Sequence, residues 1–390
     1  MEYQKKDSNL DEGCNPLSKC MVKTINPRNN YSHISIEKLH VLIISKPFDW
    51  ECQEQFLKVI LCLQKSGIKT YTNQVSLEYA IKDEMIENYR DKSLIDKIDF
   101  DSVHIFEEET NIINRVITLG GDGTILFAIK MFYNTRVPPI ISFGLGSVGF
   151  LCCFDSSELE RALFHCLLKK RKRKSTINHV TIDLVENQSG NDVVKYDPYL
   201  QYRARLKVTV SPCCERGSIK VNSSIFPDKY KELPCGSILN ALNECTLETG
   251  SFNQMFTVDL YLNENFLTRV TASGLIISTP TGSTAYNMSA GGSIVNTEVK
   301  AICVTPLNPL TLSFRPLILP FDCKITIKVP EGANDNPFNG CIDGDFKFQL
   351  IDGDELEIIG SEFPVPFVTN EKHDPIKSWM NRLASTVLSY

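Results

Sequence analysis

The spacing of apolar residues changes near residue 175, and this change constrains the fold more than any other feature of the sequence. Upstream, the apolar run at 39–45 is typical of a buried strand, and residues 52–64 follow with apolar side chains at helical spacing. Downstream, apolar and polar residues alternate at 202–210 and again at 325–329, as in strands with one buried face. Because strands that alternate with helices form parallel sheets covered by helices, the chain is predicted to be an α/β domain followed by a β-rich domain.

These patterns divide the chain into predicted segments. Residues 1–37 are polar and lack periodicity, which is typical of a flexible tail. The rest is divided into an α/β domain at 38–174, a β-rich domain at 175–365 with an extended connection near 211–237, and a helical tail at 366–390 that packs back on the first domain. Six consecutive basic residues at 169–174 predict a solvated linker between the two domains.

Composition excludes several classes of protein. A net charge of −6 argues against a general nucleic-acid binder, because neutralising phosphates needs a basic face. No apolar run reaches the ~18 residues of a membrane-spanning helix, so no membrane partner is expected. The 14 cysteines include no C-x-x-C pair, and the 6 histidines lie at no metal-ligand spacing. No protein metal site is therefore predicted, and reduced thiols in a cytoplasmic protein are expected.

A glycine-rich turn, Gly120-Gly121-Asp122-Gly123-Thr124, separates a predicted strand at 113–119 from a predicted helix. Glycines there let backbone N–H groups approach a phosphate, and a helix N-terminus favours negative charge. Asp122 adds a negative charge beside such an anion, which is useful if the carboxylate holds a cation or accepts a proton. An ordinary turn with Asp122 as N-cap is the alternative.

A second glycine pattern, Gly144-Leu-Gly146-Ser-Val-Gly149, follows a predicted strand at 140–143 and matches G-x-G-x-x-G. The dinucleotide fingerprint also needs an acidic residue about 20 positions further on, and residues 163–170 contain none. A close backbone turn is therefore favoured over a dehydrogenase site.

Two further stretches offer groups that suit a nucleoside. Residues 278–286 place five hydroxyls, a glycine and a tyrosine within nine positions, a set that suits sugar hydroxyls and a purine ring. Asn243 and Glu244 lie within an otherwise apolar strand-like run at 238–247, where a carboxylate must be paired or face a site. A solvated loop and an outward-facing charge remain the alternatives.

Together these stretches resemble the NAD kinase family, from about residue 39 to the C-terminus. The matching segments are 120–124, 144–151, 241–244, 274–292 and 312–316. The resemblance implies an enzyme that transfers the terminal phosphoryl group of ATP, with Mg²⁺, to the 2′-hydroxyl of the adenosine ribose of NAD, giving NADP. NAD and ATP are its implied partners, and a homodimer or homotetramer is the implied assembly.

The resemblance also implies roles for individual residues. Asp122 is the implied base or metal partner, and the phosphate-binding residues are Gly120, Gly121, Gly123 and Thr124. Asn243 and Glu244 correspond to the family's contacts with the adenosine and its ribose. The remaining implied NAD contacts are Gly123, Leu126, Phe150, Ser273, Thr281, Ser283, Thr284, Ala285, Tyr286 and, across the subunit interface, Ser289.

The sequence departs from the family pattern at two places. Family members usually carry an aspartate, associated with the nicotinamide end, where this chain has Ser273. A neutral hydroxyl still bonds the carboxamide, although more weakly than a carboxylate, so the sequence leaves the choice between NAD and NADH open. The connection near 211–237 is also longer than the family usually shows.

Two other classes of protein are consistent with some of these sequence features. A diacylglycerol-type lipid kinase uses the same Gly-Gly-Asp-Gly loop but has no use for residues 278–286. A non-catalytic NAD-binding sensor binds the dinucleotide without depending on Asp122 or Mg²⁺. The sequence also leaves ATP, another nucleotide and polyphosphate open as phosphoryl donors.

Overall fold

The computed structural model describes most of the chain outside its termini and the segment that joins the two predicted domains. The described residues are 34–107, 112–145, 149–168, 198–213, 216–223, 231–250, 254–311, 313–370, 379–381 and 383–384. The predicted tail up to residue 33, the basic run at 169–174, and parts of the 211–237 connection and of the C-terminal segment lie outside them.

The first part of the chain alternates strands with helices, as predicted. In chain order its strands are β1 (His40–Ser45), β2 (Lys69–Thr72), β3 (Val103–Ile105), β4 (Arg115–Leu119), β5 (Ile140–Gly144), β6 (Phe154–Asp155) and β7 (Pro198–Arg203). Its α-helices are α1 (Trp50–Lys65), α2 (Gln74–Ala80), α3 (Asp83–Ile86), α4 (Leu94–Lys97), α5 (Asp122–Lys130) and α6 (Leu159–Leu163). Asp155 and Glu158 form a capping box ahead of α6.

The second part consists almost entirely of strands. In chain order it contains β8 (Leu206–Ser211), β9 (Ser218–Asn222), β10 (Lys231–Pro234), β11 (Ser237–Ala241), β12 (Glu244–Glu248), β13 (Phe256–Leu262), β14 (Asn265–Ala272), β15 (Gly274–Ser278), helix α7 (Tyr286–Ser289), β16 (Ala301–Leu307), β17 (Leu317–Pro320), β18 (Ile325–Lys328), β19 (Phe338–Ile342), β20 (Phe346–Leu350), β21 (Glu355–Gly360) and β22 (Val365–Asn370).

The first sheet has the order β3-β2-β1-β4-β5-β22-β7, with β6 beside β5. Strands β1 to β5 are parallel. Helix α1 covers one face, where Phe56 packs with Ile43, and α5 covers the other, where Ile125 packs with Leu42. A parallel sheet covered on both faces buries its central strands throughout, and all five residues of β4 are buried, including the polar Arg115 and Thr118. The predicted α/β domain with a parallel sheet is confirmed.

The β-rich domain contains two antiparallel sheets in the described part of the chain. Their strand orders are β10-β9-β20-β19-β12-β15-β16-β17 and β11-β8-β21-β18-β13-β14. Buried and half-buried residues alternate along β8, so each sheet offers one apolar face to the shared core. Phe256 and Phe338 stack within that core with ring centroids 4.5 Å apart. The β-rich second domain is also confirmed.

Two predicted strands are broken in the structure, and those predictions were wrong. The alternating run at 202–210 is divided between β7 and β8, which belong to different sheets. The apolar run at 238–247 is likewise divided between β11 and β12. At 202–210 apolar and polar residues continue to alternate in the sequence across the break, and at 238–247 residues on both sides of the break are buried, so neither pattern reveals the crossing between sheets.

Both β7 and β22 belong to the sheet of the first domain. They pair with each other antiparallel, and β22 pairs parallel with β5. The C-terminal segment thus returns to the first domain as a strand before its described helical residues, 379–381 and 383–384. No helix in the described part of the chain combines the length and the apolar character needed to cross a membrane.

Candidate active site

The glycine turn connects the end of β4 to the start of α5. Gly120 adopts a φ of +147°, and a Cβ added to it would lie 2.4 Å from the Thr124 Oγ1 atom, so glycine is required there. Gly121 is the N-cap of α5, and Asp122 is the first helical residue. The alternative in which Asp122 is the N-cap is therefore wrong, and its carboxylate is available for other contacts.

The Asp122 carboxylate is held by the backbone that follows the second glycine pattern. The Phe150 N–H donates to its Oδ2 atom at 2.6 Å, and the Leu151 N–H donates to Oδ1 at 3.0 Å. A Cβ added to Gly149 would lie 2.1 Å from Oδ1, so only glycine permits this approach. The glycine turn and residues 149–151 thus form one structural unit, which fixes the carboxylate at the start of α5.

The hydroxyl-rich loop between β15 and α7 packs against the turn between β11 and β12. The Thr279 hydroxyl donates to the Leu242 carbonyl at 2.6 Å. Gly282 lies so close that an added Cβ would be 2.1 Å from the Asn243 carbonyl oxygen. Ser283 is fully buried, and its hydroxyl bonds the Pro280 carbonyl and the backbone of Val295. Much of this loop's polarity therefore fixes its shape, and the solvated-loop alternative is wrong.

The turn that carries Asn243 and Glu244 is fixed by a distant carboxylate. Asp343 accepts the backbone N–H groups of Leu242 at 2.7 Å, Asn243 at 2.7 Å and Glu244 at 3.1 Å. Asp343 itself lies at the β19–β20 turn with a φ of +48°. The sequence patterns did not indicate this role of Asp343, because Asp343 lies about 100 residues from the Asn243 turn along the chain.

Glu244 is a buried carboxyl group with an unused oxygen. Its exposed fraction is 8%, and Oε2 has no hydrogen-bond partner among the described residues. Burial, and next the charge of Asp343, raise the pKa of Glu244 to about 8, while Lys130 of α5 opposes this shift. The alternative of an outward-facing charge is therefore wrong, and Oε2 is a candidate acceptor for a ligand hydroxyl.

Substituting Glu244 with glutamine is expected to alter how stability depends on pH. The unfolded carboxyl ionises near pH 4.5 and the folded one near pH 8, so wild-type stability falls as pH rises between these values and levels off above them. The free energy of unfolding of Glu244→Gln, relative to that of wild type, should therefore increase by on the order of a few kcal/mol between pH 4.5 and pH 8. Urea unfolding at pH 5, 6.5 and 8 measures this difference, and a constant difference would contradict it.

The candidate residues meet where the two domains face each other. Ile125 of α5, Leu151 beside the Asp122 contacts and Leu242 beside Asn243 share one buried apolar cluster, and Leu126 packs against it. The hydroxyl loop lies at the same place, because the Thr279 hydroxyl donates to the Leu242 carbonyl. Burial, followed by a hydrogen bond to Glu248 and the charges of Glu248 and Glu244, raises the pKa of Tyr286 to about 12. The glycine turn, the Asn243 turn and the hydroxyl loop thus surround one region.

Two predicted residues lie further away. Ser273 precedes β15, at the opposite end of that strand from the hydroxyl loop, about 17 Å along the strand. Its hydroxyl donates to the Leu307 carbonyl at 3.1 Å and accepts from Asn308 Nδ2 at 3.1 Å. Ser289 is exposed at the end of α7.

Comparison with known proteins identifies the family. Residues 41–170 match the ATP-NAD kinase N-terminal domain, and residues 242–370 match the ATP-NAD kinase C-terminal domain. The chain belongs to the NAD kinase family. The resemblance inferred from the motifs is confirmed, and this member of the NAD kinase family is a phosphotransferase.

Individual relatives are similar over most of the chain. A mitochondrial NADH kinase of Saccharomyces cerevisiae is 33% identical over 82% of this chain and 67% of the relative. NAD kinase 2 of Arabidopsis thaliana, a chloroplastic protein, is 34% identical over 70% of this chain and 23% of its own length. The crystal structure of yeast NADH kinase with NADH matches with a TM-score of 0.65 and 26% identity, over 90% of this chain and 89% of that one.

Proposed function

We propose that this NAD kinase family member transfers the terminal phosphoryl group of ATP to the 2′-hydroxyl of the adenosine ribose of NAD or NADH. The observation that supports this most directly is the Asp122 carboxylate, fixed between a glycine turn and two backbone N–H donors. It lies beside the apolar cluster that Ile125 and Leu151 share with Leu242 of the Asn243 turn, where a buried glutamate offers an unused oxygen.

In the proposed mechanism Asp122 accepts the proton of the ribose hydroxyl. A ribose hydroxyl is a poor nucleophile, and a positioned carboxylate base contributes about 10²–10⁴-fold to the rate. Each carboxyl oxygen of Asp122 has one backbone donor, which fixes its direction and leaves further lone pairs for the substrate. The glycine turn at the N-terminus of α5 gives phosphate oxygens access to backbone N–H groups.

Mg²⁺ fits the groups present as a partner of the nucleotide. No group of three or more His, Cys, Asp or Glu side chains that could hold a metal ion lies among the described residues. Mg²⁺ in kinases is commonly bound by one or two carboxylates together with substrate phosphates, and the Asp122 carboxylate is a ligand of that kind. When bound, the ion would neutralise phosphate charge.

The acceptor side of the proposed site consists of the Asn243 turn and the hydroxyl loop. Glu244 Oε2 would accept a ribose hydroxyl, and Asn243 would contact the adenosine. Thr281, Thr284, Ala285 and Tyr286 would surround the base, while the buried hydroxyl of Ser283 maintains the loop. Phe150 would form an apolar wall next to the Asp122 contact.

Ser273 supports acceptance of NADH as well as NAD. Ser273→Asp is expected to raise the ratio of kcat/KM for NAD to that for NADH by about 5- to 10-fold, because a carboxylate attracts the cationic nicotinamide ring and gains nothing from the neutral dihydro form. Steady-state kinetics with both dinucleotides measures the ratio. Ser273→Asn is the matched uncharged control, and an equal effect of the two substitutions would exclude a charge-based preference.

One product assay tests the proposed function against its alternatives. The purified full chain is incubated with ATP and Mg²⁺ and with NAD, NADH or diacylglycerol, and the phosphorylated product is identified by mass spectrometry. NADP or NADPH is expected. Phosphorylated lipid would support the lipid kinase instead, and binding of NAD without turnover would support the sensor.

Assembly and location remain predictions. A homodimer or homotetramer with Ser289 at its interface is expected from the family resemblance, and Ser289 is exposed in this chain. Cytoplasmic location is expected from the cysteine pattern, although relatives are named mitochondrial and chloroplastic. Sedimentation analysis and fractionation of cells test these two predictions.

A further inference from the structure

The parallel sheet has one point at which its connections reverse direction. From β1 the chain adds β2 and β3 on one side, and then returns to add β4 and β5 on the other. Ligands of open α/β sheets bind at the carboxyl ends of the strands beside such a reversal. Here that position is the crevice between the residues that follow β1 and the glycine turn that follows β4.

The residues that follow β1 pack directly on the glycine turn. The Lys46 N–H donates to the Leu119 carbonyl at 2.9 Å, and a Cβ added to Gly120 would lie 3.0 Å from the Lys46 Cβ. Lys46 Nζ pairs with Asp49 at 3.1 Å, and Asp49 caps α1 by accepting the Cys52 N–H. The short segment from Lys46 to Asp49 is therefore fixed next to the proposed phosphate site.

Within this segment, the Phe48 ring is exposed to solvent and the Phe48 backbone is strained. Phe48 has a φ of +58°, a left-handed conformation that is unfavourable for a bulky side chain, and its exposed fraction is 72%. Its ring packs on the Tyr79 ring with centroids 4.2 Å apart, and Lys82 Nζ lies 3.7 Å from the centroid of Tyr79. The burial of the Phe48 ring is too small to explain why a phenylalanine occupies this strained position. Residues with a strained backbone cluster at ligand sites.

A polar group without a partner lies at the same edge of the sheet. Asn73 directly follows β2, the neighbour of β1, and its Oδ1 atom is buried without a hydrogen-bond partner among the described residues. A buried acceptor of this kind favours a ligand with a donor group. The exocyclic amino group of adenine is such a donor.

We propose that the exposed ring of Phe48, supported by Tyr79, forms the stacking surface for the adenine of the donor nucleotide, with Asn73 as an acceptor and Lys46 beside the phosphates. The proposal rests on the proposed function, since it assigns the donor to the crevice that contains the glycine turn. Stacking on an aromatic ring recognises the base, so it makes ATP preferable to a base-free polyphosphate.

The test compares ATP with inorganic tripolyphosphate, which carries a similar charge but no base. Binding of each to the full-length protein with Mg²⁺ is measured by calorimetry, and KM values for ATP and NAD are measured alongside. Phe48→Ala should weaken ATP binding by about 5- to 150-fold, the range of a lost base–aromatic stack, and leave tripolyphosphate binding and the KM for NAD unchanged. Phe48→Trp should retain ATP binding.

Phe266→Ala is the matched control. Phe266 is also an exposed phenylalanine, at 57%, packed on a tyrosine, with its ring 5.5 Å from that of Tyr261 in the other domain. Unchanged ATP binding in Phe48→Ala, or an equal loss for ATP and tripolyphosphate, would overturn the proposal. Wild-type protein that fails to bind ATP would overturn it too. Phe48-dependent ATP binding without NADP formation would sustain it while refuting the proposed function.

Discussion

Replacing Asp122 with asparagine is expected to lower kcat for NADP formation by about 10²–10⁴-fold, the contribution of a positioned general base. Asparagine keeps one carbonyl oxygen, so one of the two backbone N–H bonds from Phe150 and Leu151 can persist. Its NH₂ group would face the other N–H, which should lower stability by only about 1–2 kcal/mol. Initial rates and urea unfolding of the same preparation measure the two effects separately.

Two variants make this prediction specific. Gly149→Ala keeps the carboxylate but places a Cβ 2.1 Å from the present position of Oδ1, so it should displace Asp122 and also lower kcat strongly. Asp352→Asn is the matched control, because Asp352 accepts the Gly332 N–H at 2.6 Å in the β-rich domain, and its kcat should stay near wild type. An Asp122→Asn protein with activity within tenfold of wild type would show that Asp122 is not the base.

Replacing Arg205 with alanine is expected to cost the largest amount of stability, about 3–5 kcal/mol. Arg205 is fully buried where the chain crosses from β7 to β8. Its guanidinium donates to the carbonyls of Phe363 at 2.6 Å, Phe132 at 3.2 Å and Thr135 at 2.7 Å. Burial lowers the pKa of Arg205 to about 10, so the side chain remains charged at neutral pH.

The loss follows from the three carbonyl oxygens that the substitution leaves without this donor. Two of them follow α5 in the first domain, so Arg205 also connects that helix to the start of the β-rich domain. Urea unfolding measures the change in free energy. Arg205→Lys should recover only part of it, because an ammonium lacks the planar fork that reaches several acceptors.

Arg269→Ala is the control for Arg205. Arg269 makes two bonds with Asp259, at 2.7 Å and 2.9 Å, but its side chain is 57% exposed. An exposed ion pair of this kind contributes about 0–1 kcal/mol, so the control should remain near wild-type stability. Equal losses of stability in the Arg205→Ala and Arg269→Ala proteins would contradict the claim that burial makes Arg205 important for stability.

The local sequence pattern was sufficient to predict the elements whose structure depends on neighbouring residues. The strand–turn–helix unit around Gly120 follows from an apolar run, glycines and helical spacing within some twenty positions. The alternation that becomes β8 is local in the same sense. The family motifs also identified Asp122 and Glu244 as candidates before any contact was known.

The tertiary structure decided how these candidates are held. Asp122 is fixed by Phe150, 28 positions away, and the Asn243 turn by Asp343, 100 positions away. The sequence also did not show the breaks at Arg205 and between β11 and β12, because the local pattern of apolar residues continues across both of them. The spacing of apolar residues indicates which face of a segment is buried, but not which distant segment covers that face. The direction of a carboxylate such as that of Asp122 depends on this distant segment.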